Sequence, residues 1–460
     1  MAIDPSILAL DLGSTRFKAG SLATDACLES VVAVNAPPLL GDGLIREGNP
    51  LTYVSAATAV LDDVDGAGGW SGRLGLTSQR SSFVVWQKED GAPVTPLISW
   101  QDRRAVDWCE AHASSADEVR RRTGLHLSPH YLGPKMAMLL QDPDLNTRLH
   151  RGDLLLGTLD AYLVWRWSGG RSFVTDVTMA ARTLLMDLEE GDWHPGLLTM
   201  FGLPRAALPT IQPSFGRSHS LAEGQEMVAS IADQASGVVA SLGINSSSML
   251  VNLGTGGFVL MPVGTFPQYM DGYLCGPFLA DGTRTHYALE GTINGAGAAV
   301  DRYGSEPVDL LPDPSPEAFC MPDIRGWGAP FWRPEMSLKL SEPAQALPQH
   351  EQRRVVLEGV LFRVRQIVED LVKVDMPSDI VVSGGLANEP FVRAGLAILL
   401  PCPIRLLDEP EATLRGAALL AANRLDVQPN LSSPVAAEED LAYLVPKYTR
   451  WAQWVAGFAG

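Results

Sequence analysis

Two distant stretches of the chain carry the same order of residue types, Ile7-Leu8-Ala9-Leu10-Asp11-Leu12-Gly13-Ser14-Thr15 and Met249-Leu250-Val251-Asn252-Leu253-Gly254-Thr255-Gly256. Each is an apolar run that ends in a polar residue, a Leu, a Gly and a hydroxyl, with an aromatic shortly after at Phe17 or Phe258. A strand followed by a glycine turn sets backbone N–H groups beside a hydroxyl, an arrangement suited to a polyphosphate. Asp11, just before the first turn, is placed to hold Mg²⁺ through water beside ATP phosphates. Taken alone, Asp11 reads as a turn former. The second copy of the pattern favours the phosphate reading. Asn252 replaces the carboxylate in that copy, so only Asp11 is expected to serve a metal.

A third turn, Val382-Ser383-Gly384-Gly385-Leu386-Ala387-Asn388, follows a strand-like run and precedes a helix-like one. Its backbone is able to approach a flat ligand or an α-phosphate closely. No G-x-x-x-x-G-K-[ST] occurs, so a P-loop enzyme is not supported.

The elements that must carry these loops read as mixed α/β. Strand-like runs cover residues 7–12, 18–22, 73–75 and 82–86, with a loop at 62–72, while 154–167 and 195–201 read as helices. In the second half, Leu357, Val360, Leu361, Val364, Ile367, Val368 and Leu371 fall at three- and four-residue steps, one buried face of a long helix. A strand at 380–382, a helix at 390–400, a strand at 404–407 and a helix at 412–423 follow, an alternation that predicts a parallel sheet flanked by helices. The proline-rich segment 307–334 reads as an irregular surface excursion.

At 460 residues the chain suits two domains, and Gly/Asn/Ser punctuation at 243–248 puts the boundary near Gly243. With 46% hydrophobic and 19% charged residues, a substantial core is available. A formal charge of −18 argues against nucleic acid or an anionic membrane as partner, because both need a basic surface. A phosphate ligand must then be held by local donors and a metal. The five cysteines are scattered singly, without zinc or disulfide spacing. The apolar run Ile7–Leu10 stops at Asp11, too short for a signal peptide or a membrane span, so a cytoplasmic protein is expected.

Two hairpin phosphate loops followed by a late Gly-Gly turn resemble the nucleotide cleft of the actin, hexokinase and chaperone ATPase superfamily. That resemblance implies an α/β, two-domain, ribonuclease H-like ATPase fold with a central cleft. The segments between the loops resemble the FGGY carbohydrate kinases, the glycerol kinase branch most closely. Gly75-Leu76-Thr77-Ser78-Gln79-Arg80-Ser81-Ser82-Phe83-Val84-Val85-Trp86 looks like that branch's substrate strand, and Ile98-Ser99-Trp100-Gln101-Asp102-Arg103-Arg104 is close to its Trp-Gln-Asp-x-Arg segment. Thr175-Asp176-Val177-Thr178-Met179-Ala180-Ala181-Arg182-Thr183, Leu289-Glu290-Gly291 and Ala296-Gly297-Ala298 match in order and spacing. The resemblance covers nearly the whole chain.

It implies ATP-dependent phosphorylation of a hydroxyl on a small polyol or sugar, with ATP and Mg²⁺ as cofactors. Residues 1–242 would carry the acceptor site and the first phosphate loop, and residues 243–460 the nucleotide-binding domain, with the tail 432–460 packing back on the first. Asp233, in Ala232-Asp233-Gln234, falls where the family keeps its general base, although Ala232 stands where the family has Gly. Ser14, Thr15 and Lys18 fall on the first phosphate loop, Gly254, Thr255 and Gly256 on the second, and Gly297 at a helix start lining the nucleotide. Gly384, Gly385 and Asn388 fall at the adenosine end. Arg80, Trp100 and Gln234 match the branch's acceptor residues. Ser81 replaces a Glu, and the Tyr position holds His130, with Tyr131 next to it. A buried acceptor lost in this way costs about 1–3 kcal/mol, which points to a polyol or ketose other than glycerol. Rival readings are a ketose kinase of the xylulose or ribulose type, a sugar-independent ATPase switch, and an inactive sugar- or nucleotide-binding module. The resemblance leaves room for a homodimer.

Overall fold

The apolar runs that end in the two glycine turns form the central strands of two separate sheets. The computed structural model describes residues 7–65, 70–222, 224–244, 246–311 and 315–459. In the first sheet β1 (Ile7–Leu12) turns back as β2 (Arg16–Leu22) and continues to β3 (Leu28–Asn35). On its other side lies β4 (Gly72–Ser78), and β5 (Phe215–Ser220) and β6 (Gln225–Ala232) complete the order β5-β6-β4-β1-β2-β3. Strands β1, β4 and β6 run parallel, while β1 and β2 are antiparallel. All six residues of β1 are buried, which is why its sequence does not alternate with polar residues.

The second sheet contains β7 (Met249–Leu253), β8 (Gly257–Gly264), β9 (Leu274–Ala280), β10 (Thr285–Ile293), β11 (Ile380–Ser383) and β12 (Ile404–Leu406). Its order is β9-β10-β8-β7-β11-β12. Strands β11 and β12 pair parallel, as the alternation over 380–423 predicts, and β7 joins them in parallel, while β8, β9 and β10 pair antiparallel, so the sheet as a whole is mixed. Short connections between β7, β8, β9 and β10 permit hairpins, whereas the long helical crossover to β11 permits parallel pairing. The hairpin β7–β8 beside β11 repeats the hairpin β1–β2 beside β4.

Residues 154–167 are not one helix. Leu154–Thr158 is a strand paired with Phe83–Gln87, and the helix spans Leu159–Trp167. The Leu154-Leu155-Leu156 run is buried throughout, and periodicity cannot distinguish a wholly buried strand from a buried helix. The helix Pro50–Asp65 occupies the start of the expected loop at 62–72, and residues 66–69 of that loop lie outside the described residues.

Five helices matter for the site and its support: α1 (Asp233–Leu242), α2 (Gln349–Leu371), α3 (Pro390–Leu399), α4 (Ala412–Ala421) and α5 (Leu444–Ala459). The apolar stripe from Leu357 to Leu371 is buried on α2 as its spacing predicts. Although α4 follows the second sheet in sequence, it packs against α1, β1 and β4 of the first. A Cβ on Gly416 would stand 2.1 Å from the Ser236 carbonyl oxygen, so α4 and α1 meet backbone to backbone. The Ser236 hydroxyl donates to the Thr413 carbonyl at 2.6 Å across the same crossing.

The tail does not return to the first half. Tyr448 and Trp451 of α5 set their rings 5.7 and 5.6 Å from Phe362 of α2, and the Trp451 indole donates to the Cys320 carbonyl. Lys447 and Glu358 form a buried ion pair at 2.6 Å in the same interface. The aromatic face of α5 is matched by α2, and α4 takes the returning role. No helix among the described residues is long and apolar enough to cross a membrane.

Candidate active site

Parallel strands deliver their last residues to one edge of a sheet, and β1, β4 and β6 bring Asp11, Arg80 and Asp233 there. Asp11 lies opposite Lys18 across the β1–β2 hairpin. Its carboxyl is buried, and Oδ1 has no hydrogen-bond partner among the described residues. Burial, reinforced by the charges of Asp233 and Glu411 and opposed by Lys18, pushes Asp11 up to about 8. Lys18 is not free: its Nζ meets Glu411 Oε2 at 2.5 Å, and Glu411 precedes the first turn of α4.

Asp233 is the first residue of α1 and accepts the Gln234 amide at 2.8 Å. Burial raises its carboxyl above the ordinary range, against the opposing effects of Arg80, the Gln234 N–H and Arg182. Arg80 Nε lies 3.8 Å from Asp233 Oδ1 and Arg80 Nη1 lies 3.8 Å from Glu290 Oε2. The same Glu290 oxygen is bound closely by Arg182. Burial would raise Glu290, but Arg182 and Arg80 outweigh it and hold that carboxyl below its usual range. Tyr131 is close enough to Arg182, Glu290 and Arg80 for their charges to act on its hydroxyl. Two guanidinium groups and two carboxylates thus gather at this end of the site.

Ser81 adopts a left-handed backbone, φ 63°, and its hydroxyl donates to the Arg182 carbonyl at 2.7 Å. It fastens two segments of the wall. Trp100 donates its backbone N–H to Ser82 Oγ at 3.0 Å and its indole N–H to Ser14 Oγ at 2.8 Å. His130 is exposed and hydrogen-bonds through Nδ1 to the Trp100 carbonyl at 3.3 Å. The structure therefore sets Tyr131 among the charged groups and His130 against Trp100. Gln234 Oε1 is buried without a hydrogen-bond partner among the described residues.

In the second hairpin, Asn252 Nδ2 donates to Ser383 Oγ at 2.9 Å, tying β7 to β11. Thr15 and Thr255 are exposed at the tips of their turns, with Gly254 and Gly256 flanking the latter. Gly297 lies in the first turn of a short helix, and a Cβ there would stand 2.3 Å from the Gly254 carbonyl oxygen. Its glycine is required by packing against the turn of the β7–β8 hairpin. Gly384, at φ 92°, leads into the turn Gly385–Asn388, where Gly384, Gly385 and Asn388 are exposed.

Glu290, Arg182, Tyr131 and Glu411 belong to the site's electrostatics and were not singled out from the sequence as site residues. Glu290 carried a signal: it is a lone acid in the apolar run Tyr287-Ala288-Leu289-Glu290, and a buried charge must be paired. Glu411 carried none, because its partner Lys18 is 393 residues away.

Residues 6–231 match the N-terminal domain of the FGGY family of carbohydrate kinases, and residues 249–424 match its C-terminal domain. A glycerol kinase from Xanthobacter autotrophicus is 32% identical over 447 residues, spanning 90% of this chain and 89% of the relative. Among solved structures, the glycerol kinase of Plasmodium falciparum with ADP superposes with a TM-score of 0.86 at 20% identity, covering 98% of this chain and 97% of that one. A ligand-bound xylulose kinase from Lactobacillus acidophilus gives a TM-score of 0.86 at 21% identity, covering 99% and 98%. At these identities the two structures speak for the fold, and it is the two-domain α/β fold expected from the sequence.

Proposed function

The chain belongs to the FGGY family of carbohydrate kinases, and from that premise we propose that its cleft transfers the γ-phosphoryl group of ATP to a hydroxyl of a small polyol or sugar, with Asp233 as general base. The observation that carries the assignment of the base is the position of Asp233. It begins α1 at the carboxyl edge of the first sheet, beside Arg80 and within electrostatic reach of Asp11. A carboxyl held above its ordinary range is better matched to taking a hydroxyl proton near neutral pH than a free carboxylate. Arg80, Trp100 and Gln234 line the acceptor side, with Arg182, Glu290 and Tyr131 supporting them.

Asp11 suits Mg²⁺: its buried Oδ1 lacks a partner among the described residues, and neighbouring carboxylates make a cation welcome there. No group of three or more His, Cys, Asp or Glu among the described residues is arranged to hold a metal. A cation carried mainly by nucleotide oxygens and water would need Asp11 as a single protein anchor. Such an ion would neutralise charge on the phosphates. The chain's own part is to set Ser14, Thr15, Gly254, Thr255 and Gly256 around the phosphates, and Gly384, Gly385 and Asn388 at the nucleoside end.

Ser81 supplies no carboxylate and its hydroxyl is engaged with Arg182, so the acceptor is a polyol or ketose other than glycerol. A coupled ADP-release assay over glycerol, tetritols, pentitols and ketopentoses tests this reading. The expected result is acceptor-dependent turnover that is higher with a longer acceptor than with glycerol and is lost in Asp233→Asn. Turnover independent of acceptor would overturn the kinase reading, and a clear preference for glycerol would overturn the acceptor assignment.

A further inference from the structure

Trp100 and Ser14 are 86 residues apart, one on the acceptor wall and the other in the first phosphate turn, yet the indole N–H of one donates to the hydroxyl of the other at 2.8 Å. The indole is held from several directions. The Trp100 amide donates to Ser82 Oγ, which in turn donates to Gln79 Oε1 at 3.1 Å. His130 bonds the Trp100 carbonyl, and the buried Lys135 Nζ donates to the preceding carbonyl, that of Ser99, at 2.7 Å. Trp100 therefore sits in a fixed frame to which Ser14 is attached.

A serine hydroxyl has one hydrogen and two lone pairs. With the indole N–H on one lone pair, the Ser14 hydrogen is left to donate elsewhere, and donors joined in series polarise one another. Ser14 is half-buried and followed by the exposed Thr15, at the turn where the phosphates of a nucleotide would lie.

Resting on the kinase reading above, we infer that Trp100 is a positioning residue for the nucleotide as well as a wall for the acceptor. Its indole N–H aims the Ser14 hydroxyl at a phosphate oxygen, so part of the nucleotide affinity is built on the acceptor side of the cleft.

Trp100→Phe keeps an aromatic wall and removes the N–H, and Ser14→Ala removes the acceptor of the same bond. The test is titration calorimetry of the full chain with the β,γ-imido analogue of ATP and Mg²⁺, for the wild type, each single variant and the double variant, with no acceptor sugar present. One hydrogen bond of ordinary strength sets the expected loss at about 3- to 10-fold in affinity for each single variant. The double variant is expected to bind no more weakly than the weaker single, because both substitutions break one link. Affinity of Trp100→Phe within twofold of wild type overturns the inference and leaves the kinase reading intact, as do losses that multiply in the double variant. A folded wild type that binds no nucleotide overturns the kinase reading and the inference with it.

Discussion

Asp11 is the penultimate residue of β1 and Asp233 directly follows β6, the two strands that flank β4, and the charge of Asp233 adds to burial in raising Asp11 to about 8. Two acids are thereby held at one sheet edge with different surroundings. Arg80 and the Gln234 N–H favour ionisation of Asp233, whereas Lys18 favours that of Asp11 and Glu411 takes up part of that charge. The less compensated of the two is the one expected to meet a cation.

Asp11→Asn is expected to stabilise the apo protein at alkaline pH while abolishing turnover. Between the unfolded value of 3.8 and the folded value of about 8, the folded state binds more protons at Asp11 than the unfolded state does, so stability falls as pH rises through that window. The variant escapes this loss. Its gain over wild type is absent below pH 3.8, grows through the window and is complete above about 8. The window spans roughly four pH units at about 1.4 kcal/mol each, so a gain of several kcal/mol is the upper scale. Denaturant melts at several pH values check it; a gain that does not vary with pH would count against the assignment.

Asp233→Asn keeps the size and the helix start but removes the carboxylate proposed as the base. Its kcat is expected to fall about 10²- to 10⁴-fold, with nucleotide affinity little changed. Because the wild-type carboxyl is held above its ordinary range, the acid limb of the wild-type pH–rate profile should lie above that of a free aspartate. Single-turnover kinetics with the best acceptor of the panel, together with nucleotide titration, separate the two effects. Unchanged kcat would remove Asp233 from its role.

Glu411→Gln releases Lys18 from its ion pair and removes one of the charges that raise Asp11. The freed ammonium should tighten binding of an anionic nucleotide. Both partners are partly exposed, so the pair is worth roughly 0–1 kcal/mol, and the gain should not exceed about fivefold. Titration at low and high salt checks both sign and origin, because the gain should shrink as salt is raised. Weaker binding in the variant would mean that Lys18 needs Glu411 to hold it in place.

Much of this site was legible in the sequence because its loops are local. The strand, turn and hydroxyl of Ile7–Thr15 lie in one continuous stretch, and so do those of Met249–Gly256, so short-range chemistry was enough to find both hairpins. The long stripe on α2 was legible for the same reason. What escaped depends on distance along the chain. The return of α4 rests on Gly416 meeting Ser236 of α1 and on Gly75 of β4 meeting Ala417, fits of backbones with no periodic signature. Tyr131 and His130 are neighbours, and only the path of the chain past Trp100 decides which of them faces the charged groups. Ser81 was legible as a missing carboxylate, but its bond to the Arg182 carbonyl was not.

Glu290→Gln tests the cluster that the sequence left unassigned. Glu290 is almost wholly buried, bound closely by Arg182 and 3.8 Å from Arg80, so removing its charge leaves the buried Arg182 and the partly buried Arg80 poorly matched. Breaking a buried pair from one side costs about 3–5 kcal/mol, and a large part of that is expected here as a lower denaturant midpoint. Arg80 would then be left with Asp233 as its carboxylate partner, and their closer pairing would favour ionised Asp233. The acid limb of the pH–rate profile should accordingly move to lower pH in Glu290→Gln, while Asp233→Asn has no such limb to move. A destabilised variant whose acid limb stays in place would mean that Glu290 supports the fold and has no part in setting the base.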